Sequence, residues 1–378
     1  MDFNDILEMV VQKKASDLFI TADMPPSLKI HGRIQPVSKT RLDAAQSREL
    51  TLSLMTPEQR DEFLYTKECN FAFTAKNVGR FRVSAFYQKD TPSIVMRHIE
   101  TKIPTVEELE LPTVLKEIVM IQRGLVLCVG ATGTGKSTTQ AAMIGHRNRN
   151  SASHILTVED PIEYIHEHDK SIVNQREVGI DTDSFETALK NSLRQAPDVI
   201  LIGEVRSRET MEHAITFAET GHLCMATLHS NNANQALDRI INFFPEDRRN
   251  QLLLDLSLNL KAIIGQQLIP RSDGGSRMVP AIELLLNTPF VADLIRRGEI
   301  HEIKDVMKRS GEHGMVTFDM ALAQLYRQGK ISYDDALRYA DSSNEVRLDI
   351  KLSGDGEGIE EGDFQISEEE EDSRSLFG

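Results

Sequence analysis

The run Gly130-Ala131-Thr132-Gly133-Thr134-Gly135-Lys136-Ser137 satisfies the phosphate-loop pattern G-x-x-x-x-G-K-[ST] at every constrained position. Its glycines let the main chain curl so that successive N–H groups point at phosphate oxygens. Lys136 then reaches the β- and γ-phosphates, and Ser137 offers a hydroxyl to Mg²⁺. Together with Thr138 these residues form a candidate site for ATP with its Mg²⁺. Glu204 closes the apolar run Val199-Ile200-Leu201-Ile202-Gly203, the place from which a carboxylate holds the metal's coordination shell, directly or through water. A third group, Glu159-Asp160-Pro161-Ile162-Glu163, puts three carboxylates where one is needed to orient the attacking water. Glu163 is the choice for that role and Glu159 the alternative. His229, in Thr227-Leu228-His229-Ser230-Asn231, either senses the γ-phosphate or caps and packs locally. A guanidinium can stabilise charge that spreads over the transferring phosphoryl group. The candidates are Arg80, Arg82 and Arg97 in the N-terminal part and Arg194 and Arg239 in the core.

These residues need strands that end side by side and a helix that starts at the loop. Leu125–Val129 reads as a buried strand before the glycine-rich loop, and Ser137 opens a helix. His154–Val158, Val199–Ile202 and Leu223–Thr227 are nearly continuous apolar runs, the pattern of strands covered on both faces of a largely parallel sheet. In such a sheet ligands lie beyond the carboxyl ends of the strands, where all four motifs fall. After Phe244 the pattern turns mainly helical, through about Tyr339. The first hundred residues read as a separate α+β unit. It holds an amphipathic helix over Phe3–Lys14, strands over Asp17–Ile20 and Ser27–Ile34 around Pro25-Pro26, and a helix over Asp43–Leu54. Arg80–Phe86 alternates with Phe81, Val83 and Ala85 inward and Arg80, Arg82 and Ser84 outward, and Ser93–Ile99 is its partner strand. Proline and acids in 101–112 mark a linker.

Composition narrows the class. No stretch approaches the roughly 18 uninterrupted apolar residues of a membrane span, and Leu252–Ile269 is broken by Asp255 and Lys261. Met1–Asp5 lacks the basic and apolar regions of a signal peptide, so a cytoplasmic chain without membrane insertion is expected. Cys69, Cys128 and Cys224 are too scattered for a zinc site or a disulfide framework. The net charge is −15, and residues 353–378 hold ten acids against Arg374 alone, which points to disorder there and to a solubilising or docking role. An acidic chain without a basic stripe is a poor binder of nucleic acid.

The loop Gly130–Ser137, the box Val158-Glu159-Asp160-Pro161-Ile162-Glu163, the strand end Gly203-Glu204-Val205-Arg206 and Thr220-Gly221-His222…Thr227-Leu228-His229 together resemble the secretion-type hexameric ATPases. Within these the chain resembles the PilT/PilU family of type IV pilus retraction ATPases, from Ala15-Ser16-Asp17-Leu18 through about Arg347. Gln195-Ala196-Pro197-Asp198, Ser207, Asn234–Ile241 and Asp255–Ile263 look like the PilU branch. The PilT signature A-I-R-N-L-I-R-E appears as Phe290-Val291-Ala292-Asp293-Leu294-Ile295-Arg296-Arg297, with Ala292 in place of its first arginine and Arg297 in place of its acid.

The resemblance implies an α/β fold: an N-terminal PAS-like α+β domain (1–100), a linker (101–112), a RecA-like P-loop ATPase core with C-terminal helices (113–345) and an acidic disordered tail (346–378). It further implies a homohexamer in which ATP lies between the core of one subunit and the N-terminal domain of a neighbour, with Arg82 and Arg97 completing the site. The implied work is pilus retraction for twitching motility, at the cytoplasmic face of the inner membrane and against the platform protein of the pilus machine. The Ala292 and Arg297 changes motivate an alternative, an ATP-binding accessory ring docked on a PilT-like ATPase. Assembly and type II secretion members typically carry a four-cysteine zinc site, which three cysteines cannot build.

Overall fold

The computed structural model describes residues 3–30, 32–99, 102–274, 278–311 and 314–352. Residues through Leu268 together with Pro280–Thr317 form one unit, and Ile269–Val279 with the chain from Phe318 form a second.

The first unit begins with α1 (Phe3–Gln12), β1 (Asp17–Ile20), β2 (Ser27–Ile30) and β3 (Arg33–Pro36), followed by α2 (Ala44–Ser53) and α3 (Pro57–Thr66). Then come β4 (Glu68–Ala75), β5 (Gly79–Gln88) and β6 (Thr91–Ile99). The strands form an antiparallel sheet in the order β3-β2-β1-β6-β5-β4. The alternation expected along β5 is present: Phe81, Val83 and Ala85 are buried with Phe63, Phe71 and Leu18 in one apolar cluster. Asp43 and Thr56 open α2 and α3 with reciprocal capping boxes to Gln46 and Gln59, each tying up two main-chain donors that a helix start leaves open. The expected single strand over 27–34 is instead two strands, because the chain reverses at Gly32. Val106 and Leu111, inside the expected linker, are buried against Leu115, Val126 and Ile144 of the following sheet and helices.

The remainder of this unit is built from α4 (Val114–Met120), β7 (Gly124–Val129), α5 (Lys136–Asn150), β8 (His154–Glu159), β9 (Ile172–Glu177) and α6 (Phe185–Ser192). It continues with β10 (Val199–Ile202), α7 (Arg208–Glu219), β11 (Leu223–Leu228), α8 (Ala233–Phe243) and α9 (Glu246–Asn259). β12 (Leu260–Ile269), β13 (Val279–Leu286), α10 (Pro289–Arg297) and α11 (Ile303–Arg309) follow. The sheet order is β13-β12-β7-β11-β10-β8-β9, and the pairs from β12 through to β9 are parallel. Every residue of β7, β10 and β11 is buried, as strands covered on both faces must be. The helical expectation after Phe244 is corrected by β12 and β13. The apolar run from Leu252 holds a helix only to Asn259, and from Leu260 it pairs with β7 as a strand carrying Ile263 and Ile264.

The second unit contains α12 (Phe318–Arg327), α13 (Tyr333–Arg338) and α14 (Ser343–Leu352). Val346 and Ile350 are buried on α14, so residues 346–352 belong to a packed helix and not to the tail in which the sequence reading placed them. Residues 353–378 lie outside the described residues.

Candidate nucleotide-binding and catalytic site

The carboxyl ends of β7, β8, β10 and β11 surround a cavity of about 570 Å³. β7 delivers the phosphate loop and α5 starts at Lys136, so the helix N-terminus with its open N–H groups faces the cavity. Thr132, Gly133, Gly135, Lys136, Ser137 and Thr138 are on its wall; Gly130, Ala131 and Thr134, also expected at the nucleotide, are not. The buried Lys136 Nζ donates to the carbonyls of Gly130 (2.9 Å) and Ala131 (2.7 Å), and Thr134 Oγ1 donates to Ala131 O at 2.9 Å. Burial lowers the lysine's pKa, opposed by Cys128, Glu204 and Glu163.

The loop is pressed against β12. A Cβ at Gly130 would lie 2.5 Å from the main-chain oxygen of Gln266, and one at Gly135 would lie 2.8 Å from its Nε2. Gln266 is buried, and its Oε1 accepts from Thr139 Oγ1 of α5 at 2.6 Å. Only residues without a side chain fit this contact between loop and strand.

Glu204, just past β10, is held at both oxygens. Arg206 Nη2 lies 2.7 Å from Oε2 and His229 Nε2 3.3 Å from Oε1. Burial pushes the Glu204 carboxyl up, but Arg206 and His229 outweigh it and leave the group below its ordinary range. Arg206 also reaches Asp160 at 3.7 Å, and the His229 carbonyl accepts from Arg239 Nη1 at 2.9 Å.

The acidic box divides in two. Glu163 is exposed on the cavity wall. Glu159, at the end of β8, accepts on Oε1 from Thr157 Oγ1 (2.6 Å) and Gln175 Nε2 (3.2 Å). Burial pushes its carboxyl up to about 7 against those two hydrogen bonds, with Glu163 and Glu177 adding to the rise. Tyr164 shares a hydrogen bond with Thr138 across the cavity at 2.9 Å.

The structure therefore gathers Lys136, Ser137, Thr138, Glu163, Glu204 and His229 in one place. Arg82 and Arg97 are not on its wall. They sit opposite one another on β5 and β6, and Arg97 is bound to the buried Asp17 through Nη2 at 2.8 Å and Nε at 3.0 Å. Arg82 and Arg80 act on Glu177: its carboxyl is raised by burial and pulled back by the Ile162 main-chain bond and the two arginines. Sequence reasoning missed Arg206, Tyr164, Gln175 and Gln266 as parts of this site. Arg206 and Tyr164 lie within or beside motifs already read, while Gln175 and Gln266 sit on strands that the motif spacing does not reveal.

Comparison with known proteins follows the same lines. The family described as "Type II/IV secretion system protein" matches residues 1–331. The Pseudomonas aeruginosa protein named "Type IV pilus ATPase PilU" is 63% identical over 94% of this chain and 93% of its own length. The "Type IV pilus retractation ATPase PilT" of the same organism is 40% identical over 89% of this chain and 97% of its own. A crystal structure titled as the pilus retraction motor PilT with bound ADP superposes with a TM-score of 0.86 at 38% identity, covering 92% of this chain and 99% of that one.

Proposed function

The chain belongs to the type II/IV secretion system protein family, in its PilT/PilU group of ATPases, and we propose that it is a hexameric motor that powers type IV pilus retraction. The supporting observation is the convergence of the phosphate loop, Glu204 and the acidic box on one cavity. In this reading Lys136 leaves its two loop carbonyls for the β- and γ-phosphates of ATP. Ser137 and an ionised Glu204 are oxygen donors of the kind magnesium takes, and they would hold the ion that neutralises phosphate charge. His229 holds Glu204 from the neighbouring strand end, where it can report the γ-phosphate. Catalysis is then positioning and electrostatics, with Arg82 and Arg97 of a neighbouring subunit supplying charge to the transferring group. Turnover shifts the N-terminal and core parts against each other and passes the stroke to the inner-membrane platform protein of the pilus machine. The chain works at the cytoplasmic face of that membrane; no helix among the described residues is long and apolar enough to cross it.

Lys136→Ala tests the motor. It should abolish ATP turnover and twitching while sedimentation still shows the assembled ring; retained motility would defeat the proposal. One observation favours a second reading, an accessory ring on a PilT-like ATPase. Arg297, standing where an acid is expected, is tied to Asp293 (3.0 Å) and Glu299 (3.0 Å), and Arg296 is also held by Asp293 (2.7 Å). α10 therefore keeps the net charge of the PilT signature but places its charges at different positions. Retraction by this chain in cells lacking every other retraction ATPase would exclude the accessory role.

A further inference from the structure

Arg97 on β6 is gripped along one edge of its guanidinium. Its Nε and Nη2 donate to the same oxygen of Asp17, Oδ1, at 3.0 and 2.8 Å. β1 and β6 run antiparallel with Leu18 opposite Met96, which sets Asp17 beside Arg97. Asp17 is buried, and its Oδ2 accepts from Ser16 Oγ at 2.9 Å, so the carboxylate is itself held. A guanidinium is a rigid planar fork. Its side edge is Nε with Nη2, and its end edge is Nη1 with the second hydrogen of Nη2. Asp17 takes the side edge. Among the described residues Nη1 has no hydrogen bond or ion pair, and the Arg97 side chain is 67% exposed. Arg82 stands directly opposite Arg97 on β5 and has no hydrogen bond or ion pair among the described residues. Like charges so placed repel each other. The row Asp17, Arg97, Arg82 across β1, β6 and β5 thus keeps a surplus positive charge with open donors, which suits the several oxygens of a phosphoryl group.

We infer that Asp17 is a positioning residue for ATP hydrolysis: it clamps the side edge of Arg97 so that the end edge is presented to the γ-phosphoryl group of ATP in a neighbouring subunit. The inference rests on the reading above in which Arg97 supplies charge to that group. An arginine on an exposed strand samples many rotamers, and fixing them at the moment of reaction is costly. A carboxylate that is buried and bonded beforehand does the fixing in advance, and the placement of a charged donor matters at the level of an ångström. Asp17 touches no nucleotide in this scheme and acts only through Arg97.

The test is a double-mutant cycle on the full-length enzyme: Asp17→Ala, Arg97→Ala and the two together. Phosphate release is followed by radiolabel so that slow variants remain measurable, and sedimentation and binding of a non-hydrolysable ATP analogue run on the same samples. Arg97→Ala should lower kcat by on the order of 1,000-fold. Asp17→Ala should lower it by about 10–100-fold with KM for ATP within about twofold, because the guanidinium is present but no longer held. Added to Arg97→Ala, the same change should cost less than about twofold, since nothing is left to hold. Asp17→Asn keeps an acceptor oxygen and should recover part of the loss; it also replaces Asp17→Ala in the cycle should that variant fail to form rings. A loss from Asp17→Ala that is as large without Arg97 as with it would make Asp17 merely structural and overturn the inference. Parental turnover in Asp17→Ala, with turnover lost in Arg97→Ala, would overturn it while leaving the arginine reading intact. Parental turnover in Arg97→Ala would defeat that reading and the inference with it.

Discussion

Gly203→Ala adds one methyl group at the point where the two carboxylate-bearing strands come closest. Gly203 N–H donates to Val158 O at 2.8 Å, so β8 and β10 meet here through main chain. The new Cβ would lie 3.0 Å from Glu159 Cα, 3.2 Å from Val158 O and 3.6 Å from Asp160 N. All three are backbone atoms, so no rotamer change relieves the contact. The strands must part by a few tenths of an ångström to reach ordinary van der Waals distance. Overpacking of this kind costs about 1–3 kcal/mol. In a chain of 378 residues that lowers Tm by roughly 1–2 °C per kcal/mol. Glu159 and Glu204 ride on opposite sides of the contact, so their spacing changes with it. A 1 Å error costs on the order of 100-fold in rate, and the smaller displacement here should cost about 10-fold in kcat. The phosphate loop is not touched, and KM for ATP should stay within about twofold. ATP turnover, analogue binding and a thermal melt on the same preparation read all three. An alanine variant with unaltered Tm and kcat would refute the claim that this close approach sets the carboxylate spacing.

Three further outcomes are expected. The Glu159 carboxyl lies near 7 when folded and near 4.5 otherwise, so between those values the folded chain holds a proton that the unfolded chain has lost, and stability falls as pH rises. Glu159→Gln should therefore be more stable than the parent at pH 8, by up to about 3 kcal/mol, with the gap closing by pH 5; urea denaturation at both values measures it. His166 is the opposite case: burial, with help from Arg149, pushes its imidazole down from 6.5 to about 4, so the unfolded chain binds the extra proton and stability is lost as pH falls between those values. His166→Gln should flatten that acid slope in melts from pH 7 to pH 4.5. Asp17→Asn should cost about 1 kcal/mol, because a buried acceptor of two guanidinium bonds becomes a neutral amide while Arg97 remains largely in water; denaturant titration reads the loss.

Much of this was legible before any coordinates. The glycine-rich loop, the acid after Val199–Ile202 and the apolar strands around them announce themselves because a buried parallel strand has nothing polar to hide. β5 was equally clear, since one face is core and the other carries charge. What stayed hidden was β9 and β12. β9 carries Asn174, Gln175 and Arg176 and shows no clean period, because its amide and guanidinium groups serve loops and not a core. β12 continues directly from α9 without a glycine or proline to mark the change, and an apolar run alone does not distinguish helix from strand. α3 was missed as well: its one buried apolar residue, Phe63, leaves almost no helical periodicity to detect. Arg97 is exposed on its strand as the sequence suggests, whereas Arg82 is half-buried. That Arg97 is held by Asp17 was not readable, as it depends on how β1 pairs with β6.

The carbonyl of Gln266 behind the phosphate loop has a genetic consequence. Gly130 is usually thought of as the nucleotide's requirement, yet here its side-chain hydrogen is aimed at the main chain of β12. Every amino acid brings the same carbonyl, so no replacement at position 266 makes room for a larger residue at 130. At Gly135 the obstacle is instead the side-chain amide of Gln266, which a shorter residue would remove, although a φ of +86° still strains any other amino acid there. A search for second-site suppressors in β12 should thus return partial revertants of loss at 135 and none of loss at 130. The two glycines of one loop answer to different parts of Gln266, and only its side chain can be changed by mutation.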